Sequence, residues 1–309
     1  MPIPDPGLFD AMPRAPLQPL DFHWLRAAGV EAAVLRLDLI DPLISGNKWY
    51  KLKQYLLMAR QSGAQGLISL GGAHSNHLHA LAAAGRRFGF QTVGLLRGHP
   101  QRTPTLDDLQ AFGMQLHWLG YAGYRARHLA DFWLPWQKRY PQCVAIPEGG
   151  CGLLGAQGCA GLPELVREQL PGLGWSDYDG WWLAAGTGTT VAGLVLAEAG
   201  RHRVFGAMAV PADHGVAEQV EAMLEGSGRG AADYSLLEAS RGGFARVDEQ
   251  LLAFMQACEA EAGLPLEPLY TAKALLALSV AVRAGQFVPG TRLVFVHTGG
   301  LQGRRAETA

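Results

Sequence analysis

A lysine delivered by a turn of small residues is the side chain with the clearest chemical use in this chain. The run Ser45-Gly46-Asn47-Lys48-Trp49-Tyr50-Lys51-Leu52-Lys53-Gln54 puts Lys48 at the start of a helical pattern. A lysine held on a fixed backbone and partly buried has a lowered pKa, and its neutral amine can condense with an aldehyde. Further on, Ser69-Leu70-Gly71-Gly72-Ala73-His74-Ser75-Asn76-His77 reads as strand, glycines, then helix. That order gathers backbone N–H groups at a helix start, an anion site to which Ser75 adds a hydroxyl and Asn76 a carboxamide. An aldehyde-holding amine beside an anion grip suggests pyridoxal-phosphate chemistry. The plainer alternatives are a solvated Lys48 next to Lys51 and Lys53, and simple N-capping by Ser75 or Asn76.

Three further segments bear on the choice. Ala184-Ala185-Gly186-Thr187-Gly188-Thr189-Thr190 follows the apolar Trp181-Trp182-Leu183 and opens a helix. It lacks the lysine of a nucleoside-triphosphate loop and the glycine spacing of a dinucleotide fold, so a monophosphate is the better guest. Pro268-Leu269-Tyr270-Thr271-Ala272-Lys273 is a turn into a helix, where Thr271 could be a cap and Tyr270 a core aromatic. The last strand ends in His297-Thr298-Gly299-Gly300. Ligands of open parallel sheets bind beyond the carboxyl ends of the strands, so these loops are expected to share one crevice. His74, His77 and His79 do not make a metal set, because only His74 and His77 share a helical face and no acidic or thiol partner is expected nearby. No metal is expected.

Short apolar runs alternate with helical patterns, the mark of α/β architecture with largely parallel sheets. Strands are expected over 33–37, 66–70, 92–96, 115–118, 144–146, 181–185, 204–210 and 293–297. Helices are expected over 50–62, 76–88, 105–112, 122–139, 189–199, 216–224, 249–262 and 272–284. Residues 225–244 read as a long connection or flap, since Gly and Ser interrupt charged residues. A junction is expected at Glu148-Gly149-Gly150-Cys151-Gly152.

A chain of 309 residues exceeds one ordinary core. With 49% hydrophobic and 17% charged residues and a net charge of −1, it reads as globular, with no charge footprint for nucleic acid or an anionic membrane. The most apolar window, 181–199, is broken by three glycines and three threonines and makes a poor membrane span. No secretory leader is read at the N-terminus, and the four cysteines lack metal spacing, so a cytoplasmic protein with free thiols is expected.

Taken together, Gly46-Asn47-Lys48, Gly71-Gly72-Ala73-His74-Ser75-Asn76, Gly186-Thr187-Gly188-Thr189-Thr190 and Tyr270-Thr271 resemble the 1-aminocyclopropane-1-carboxylate deaminase and D-cysteine desulfhydrase family. The resemblance implies a fold type II pyridoxal-phosphate enzyme, tryptophan synthase β-like: two open twisted, mostly parallel sheets flanked by helices, with the cofactor in the cleft between domains. It implies a large domain of residues 1–51 and 159–309, a small domain of 52–158, and a homodimer. Lys48 would be the Schiff-base lysine, Asn76 would meet the ring oxygen, and Ser75 would sit against the substrate carboxylate or reacting carbon. Gly186, Thr187, Gly188, Thr189 and Thr190 would bind the phosphate, Tyr270 would lie over the substrate, and Thr271 would face the pyridine nitrogen.

Departures from the family pattern steer the choice of reaction. A neutral Thr271 makes a weaker electron sink than the Glu of the deaminases, which suits elimination of a good leaving group. Phe244 stands where deaminases have a tyrosine that helps to open the cyclopropane ring. Tyr50 replaces a frequent Arg, and Cys151 with its glycines replaces a common Ser-Asn pair. The reading that follows is a lyase performing α,β-elimination on a small amino acid, with D-cysteine the leading substrate. Its alternatives are 1-aminocyclopropane-1-carboxylate deamination, elimination from another β-substituted amino acid, or a non-catalytic ligand-binding module.

Overall fold

The computed structural model describes residues 13–229 and 233–306. Its ten strands are β1 Leu17–Pro19, β2 Glu31–Arg36, β3 Gly66–Gly71, β4 Gln91–Leu96, β5 Gln115–Trp118, β6 Cys143–Ala145, β7 Gly180–Ala185, β8 Arg203–Met208, β9 Tyr234–Glu238 and β10 Arg292–His297. The helices are α1 His23–Ala28, α2 Asn47–Gln61, α3 Asn76–Phe88, α4 Pro104–Ala111, α5 Gly120–Arg125, α6 Leu134–Arg139, α7 Leu153–Gly158, α8 Leu162–Arg167, α9 Thr189–Glu198, α10 Val216–Gly226, α11 Glu249–Ala262 and α12 Thr271–Arg283.

Two sheets result. One runs β1-β2-β10-β7-β8-β9 and the other β5-β4-β3-β6. Every pairing is parallel except β1 on β2, where Leu17 faces Leu35. Strands β3 and β7 are buried along their whole length, which explains why they read as unbroken apolar runs rather than alternating ones. Trp182 shows the packing this produces: it pairs in register with Phe295, stacks on Phe205 at 5.5 Å, and donates its Nε1–H to Ala274 O at 2.8 Å. Each such fully buried side chain contributes about 1.5–3 kcal/mol through removal from water.

Helix α2 links the two sheets. Its first residue donates from Asn47 N to Thr298 O at the end of β10, 3.1 Å away. Its body packs Leu52, Tyr55, Leu56 and Ala59 into the core beneath β3, with Leu67, Leu78 and Leu81. Gly46 makes this approach possible. Its φ is +71°, and a Cβ there would lie 2.0 Å from Thr298 O.

Two expectations need correction. The helix read over 122–139 is broken: α5 runs into a 3-10 turn at Ala126–His128, and α6 begins only at Leu134. Pro135 has no N–H to give and fits only the first turn of a helix, so α6 starts there. The connection read over 225–244 contains β9, which adds parallel to β8 with Tyr234 opposite Val204. As an edge strand buried only in part, β9 carries no strong apolar signal. The short β1 and helices α1, α7 and α8 were not expected from the sequence either.

Candidate active site

The loops after β3, β7 and β10 open on the same side as the start of α2, and their residues meet there. Lys48 lies in the first turn of α2, and its ammonium donates to Asn47 Oδ1 at 2.9 Å. Asn47 in turn donates from Nδ2 to Thr190 Oγ1 at 3.0 Å, tying α2 to the start of α9. Burial first, and then the like charge of Lys51, bring the Lys48 amine down to about 7. At that value a substantial neutral fraction is present near neutrality.

Lys51, one turn along the helix, is 5% exposed, and its amine is also lowered by burial. His77 lies close by and does nothing to balance this charge. Ser69 Oγ donates to Ile146 O at 2.7 Å, so it accepts from His77 Nε2 at 2.8 Å, which leaves Nδ1 a buried lone pair without a partner. Burial, with Lys48 and Lys51 nearby, holds His77 well below the usual imidazole range. Two lysines and a neutral histidine thus face one place. Lys51 was legible as a repeat of Lys48 three residues on, but its placement between Tyr50 and Leu52 gave no sign of burial beside an anion site.

Facing the lysines is the start of α9. Gly188 is its N-cap with φ +68°, and no side chain caps the first turn. Thr187 Oγ1 and Thr189 Oγ1 lie 2.8 Å apart at this edge, and Thr189 and Thr190 are buried. The free N–H groups and the positive end of the helix form an anion site with threonine hydroxyls around it. Cys151 joins its rim, its thiol 3.1 Å from Gln219 Oε1.

On the third side, Ser75 caps α3 by accepting from Leu78 N at 3.2 Å, so the N-cap reading holds. Its hydroxyl proton stays available for an anionic oxygen. Thr103 Oγ1, missed in the sequence, braces this loop by donating to Ala73 O at 2.7 Å. The three histidines go separate ways: His74 is exposed, His77 meets Ser69, and His79 meets Asp108 at 3.1 Å. The expectation that no acidic partner is near is corrected by Asp108, which the fold brings from α4 to His79.

The fourth side is the start of α12. Tyr270 lies against Gly186, where a Cβ would be 3.0 Å from its Cε1, and 6.1 Å from the Phe244 ring. Burial, followed by Glu267 and Glu148, raises the Tyr270 phenol and keeps it protonated. Thr271 is fully buried, and its Oγ1 accepts from Glu267 N at 2.9 Å. The Glu267 carboxylate accepts from Leu269 N, Tyr270 N and Thr271 N at 2.6–2.8 Å and so caps α12. Burial raises this acid to about 7 against the pull of those N–H groups. The sequence hint was an acid shortly before a helix start; its burial was not foreseeable. Tyr50 turns away from the site and donates to Pro13 O at 3.1 Å.

Residues 9–299 match the model of a family described as pyridoxal-phosphate dependent enzymes. The chain belongs to that family. It is 29% identical to the 1-aminocyclopropane-1-carboxylate deaminase of Burkholderia vietnamiensis over 324 residues, covering 96% of this chain and 94% of the other. The Burkholderia cenocepacia protein of the same name is also 29% identical, with 96% and 93% covered. A crystal structure of an ACC deaminase homologue superposes with a TM-score of 0.80 at 25% identity, covering 97% of this chain and 95% of that one. The expected fold type II architecture and the expected cofactor class therefore hold for this family member.

The residues present fit the cofactor. Among the described residues neither buried lysine amine is ion-paired with a carboxylate, and Glu267 only weakly opposes the lowering of Lys48. An anion is therefore needed there, and the uncapped α9 start with its threonines can cradle a phosphate beside them. The Lys48 amine has the lowered pKa that condensation with an aldehyde requires.

Proposed function

We propose that this pyridoxal-phosphate-dependent enzyme is a lyase that removes the β-substituent of a small amino acid, D-cysteine first. One molecule of water enters, and pyruvate, ammonia and hydrogen sulfide leave. In this reading Lys48 anchors the cofactor. Gly186, Thr187, Gly188, Thr189 and Thr190, with Lys51, hold its phosphate, Asn76 meets the ring oxygen, and Thr271 meets the pyridine nitrogen. Bound there, pyridoxal phosphate supplies an aldehyde for the substrate amine and a conjugated ring that takes up the electron pair released at Cα. The chain's own part is positioning and proton traffic. The Ser75 hydroxyl and the N–H groups at the start of α3 hold the substrate carboxylate. The Lys48 amine, poised near 7, takes the Cα proton as general base. Tyr270 closes over the substrate and excludes water.

The observation that carries the choice of elimination is the pair Thr271 and Phe244. Thr271 is a neutral hydroxyl bound up with Glu267, which suits a weaker electron sink and a good leaving group. Phe244 lies beside Tyr270 and offers no phenol to assist ring opening. Deamination of 1-aminocyclopropane-1-carboxylate is the second reading, favoured by the names of the matched relatives. A small domain of residues 52–158, a homodimer and a cytoplasmic location accompany the proposal.

The test is product formation from D-cysteine, L-cysteine, D-serine, β-chloroalanine and 1-aminocyclopropane-1-carboxylate. Sulfide and pyruvate from D-cysteine, faster than any product from the cyclopropane, are expected. Oxobutanoate from the cyclopropane as the fastest reaction would establish the second reading instead.

A further inference from the structure

The last described segment, Leu301–Ala306, is a 3-10 turn that touches the proposed site at Asn76. It is fastened on both sides. Arg304 donates to both carboxylate oxygens of Glu259 on α11, at 2.9 and 3.3 Å, and Arg305 forms a bidentate pair with Asp108 on α4. Between these anchors and the site, Gln302 donates from Nε2 to Asn76 Oδ1 at 2.9 Å.

A carboxamide has an acceptor end and a donor end, and the two face opposite ways. With Oδ1 engaged by Gln302, Asn76 turns Nδ2 toward Gly300, where a Cβ would lie 2.6 Å from it. Glycine at 300 keeps that side clear, and its φ of +92° is one that residues with a Cβ rarely adopt. The ring oxygen of pyridoxal phosphate is an acceptor and needs a donor. The opposite amide orientation would set oxygen against oxygen.

We infer that Gln302 is a positioning residue that selects the cofactor-binding orientation of the Asn76 amide. This rests on the assignment of Asn76 to the ring oxygen under Proposed function. The polarity of the contact matters more than its volume. Gln302→Glu keeps the size but leaves only acceptors, which draws Nδ2 toward residue 302 and turns Oδ1 to the cofactor. Gln302→Leu merely removes the restraint.

The experiment is equilibration of each variant with graded pyridoxal phosphate, reading the visible absorbance of the bound form for Kd and the melting temperature for fold. Gln302→Leu is expected to weaken cofactor binding about fivefold, and Gln302→Glu, though isosteric, by about tenfold or more. In an Asn76→Ala background, Gln302→Glu is expected to add less than about twofold, because its effect runs through Asn76. A Gln302→Glu protein that binds as the parent does, or one whose loss is undiminished in the Asn76→Ala background, overturns the inference while leaving the Asn76 assignment intact. If Asn76→Ala itself leaves Kd unchanged, the assignment of Asn76 falls and the inference with it. Should Gln302→Glu melt markedly lower, the Gln302→Leu protein and its own Asn76→Ala double variant decide by the same comparison.

Discussion

Helix α9 has a buried polar cluster at each end, and the two are built on opposite plans. At its start the N–H groups are uncapped, and two lysines and a neutral histidine lie near them with no carboxylate ion-paired to either lysine among the described residues. At its end Glu198, 1% exposed, accepts from the Tyr178 hydroxyl at 2.5 Å, Trp181 Nε1 at 2.7 Å and His202 Nδ1 at 2.7 Å. His202 Nε2 continues to Asp177 Oδ1 at 3.0 Å. A carboxylate at the negative end of a helix is unfavourable by itself, and these donors offset it. Satisfied charge serves the scaffold, whereas charge left unsatisfied waits for a ligand. The contrast makes predictions that differ between the two ends.

The largest effect belongs to the unsatisfied end. Lys48→Ala is expected to abolish the visible absorbance of the bound cofactor and to lower turnover by roughly 10³-fold. The cofactor-free variant is expected to melt no lower than the parent, since a buried amine held by one neutral hydrogen bond and no ion pair costs stability. Spectra and elimination rates on one preparation check both halves, and an unchanged spectrum would remove Lys48 from its role.

At the satisfied end the pattern reverses. Glu198→Leu leaves three buried donors without an acceptor and is expected to cost about 3 kcal/mol in urea unfolding. Turnover of the remaining folded enzyme is expected to stay within about twofold of the parent, because α9's other end holds the site. A large loss of turnover at unchanged stability would show that the two ends are not separable in this way.

Titration sharpens the same comparison. Lys48 has its folded value lowered to about 7 from 10.5, so the unfolded chain binds more protons between those values. Its burial penalty is complete below pH 7 and is relieved as pH rises toward 10.5. Glu267 is raised to about 7 from 4.5, so its penalty is absent below 4.5 and complete above 7. In the cofactor-free protein, the stability gained by Lys48→Met is therefore expected to be largest below pH 7 and to shrink on the alkaline side. The gain from Glu267→Gln is expected to appear above pH 4.5 and grow to pH 7. Urea unfolding across that range checks the two mirror-image slopes.

These residues also mark how far the sequence could be read. The strands whose carboxyl ends carry the site were legible because β3, β7 and β10 are central and buried, and their apolar runs end in glycine, serine and threonine. Lys48, Ser75, Asn76, Tyr270 and Thr271 stood out by their turns, and the loops that carry them approach one another, as Asn76 at Gly300 and Tyr270 at Gly186 show. Lys51, His77 and Glu267 did not. Their importance comes from burial and from partners far along the chain, and neither has a local pattern. The edge strand β9 and the broken α5–α6 stretch failed for a related reason: partial burial and a single proline outweigh propensity there.

The smallest predicted effect tests whether a residue can belong to both plans. Ser75 caps α3 through its oxygen, and its hydroxyl proton remains free for the substrate in the proposed role. Ser75→Ala is expected to cost about 1 kcal/mol of stability from the lost cap. It is also expected to raise KM for the amino acid about fivefold, by removing one hydrogen bond to the carboxylate. Ser75→Asp restores a capping oxygen but sets a carboxylate against the substrate's own. That variant is expected to regain most of the stability and to bind the substrate more weakly than Ser75→Ala. If stability and KM recover together in Ser75→Asp, the hydroxyl is a cap alone, and the carboxylate is held by the backbone of the loop.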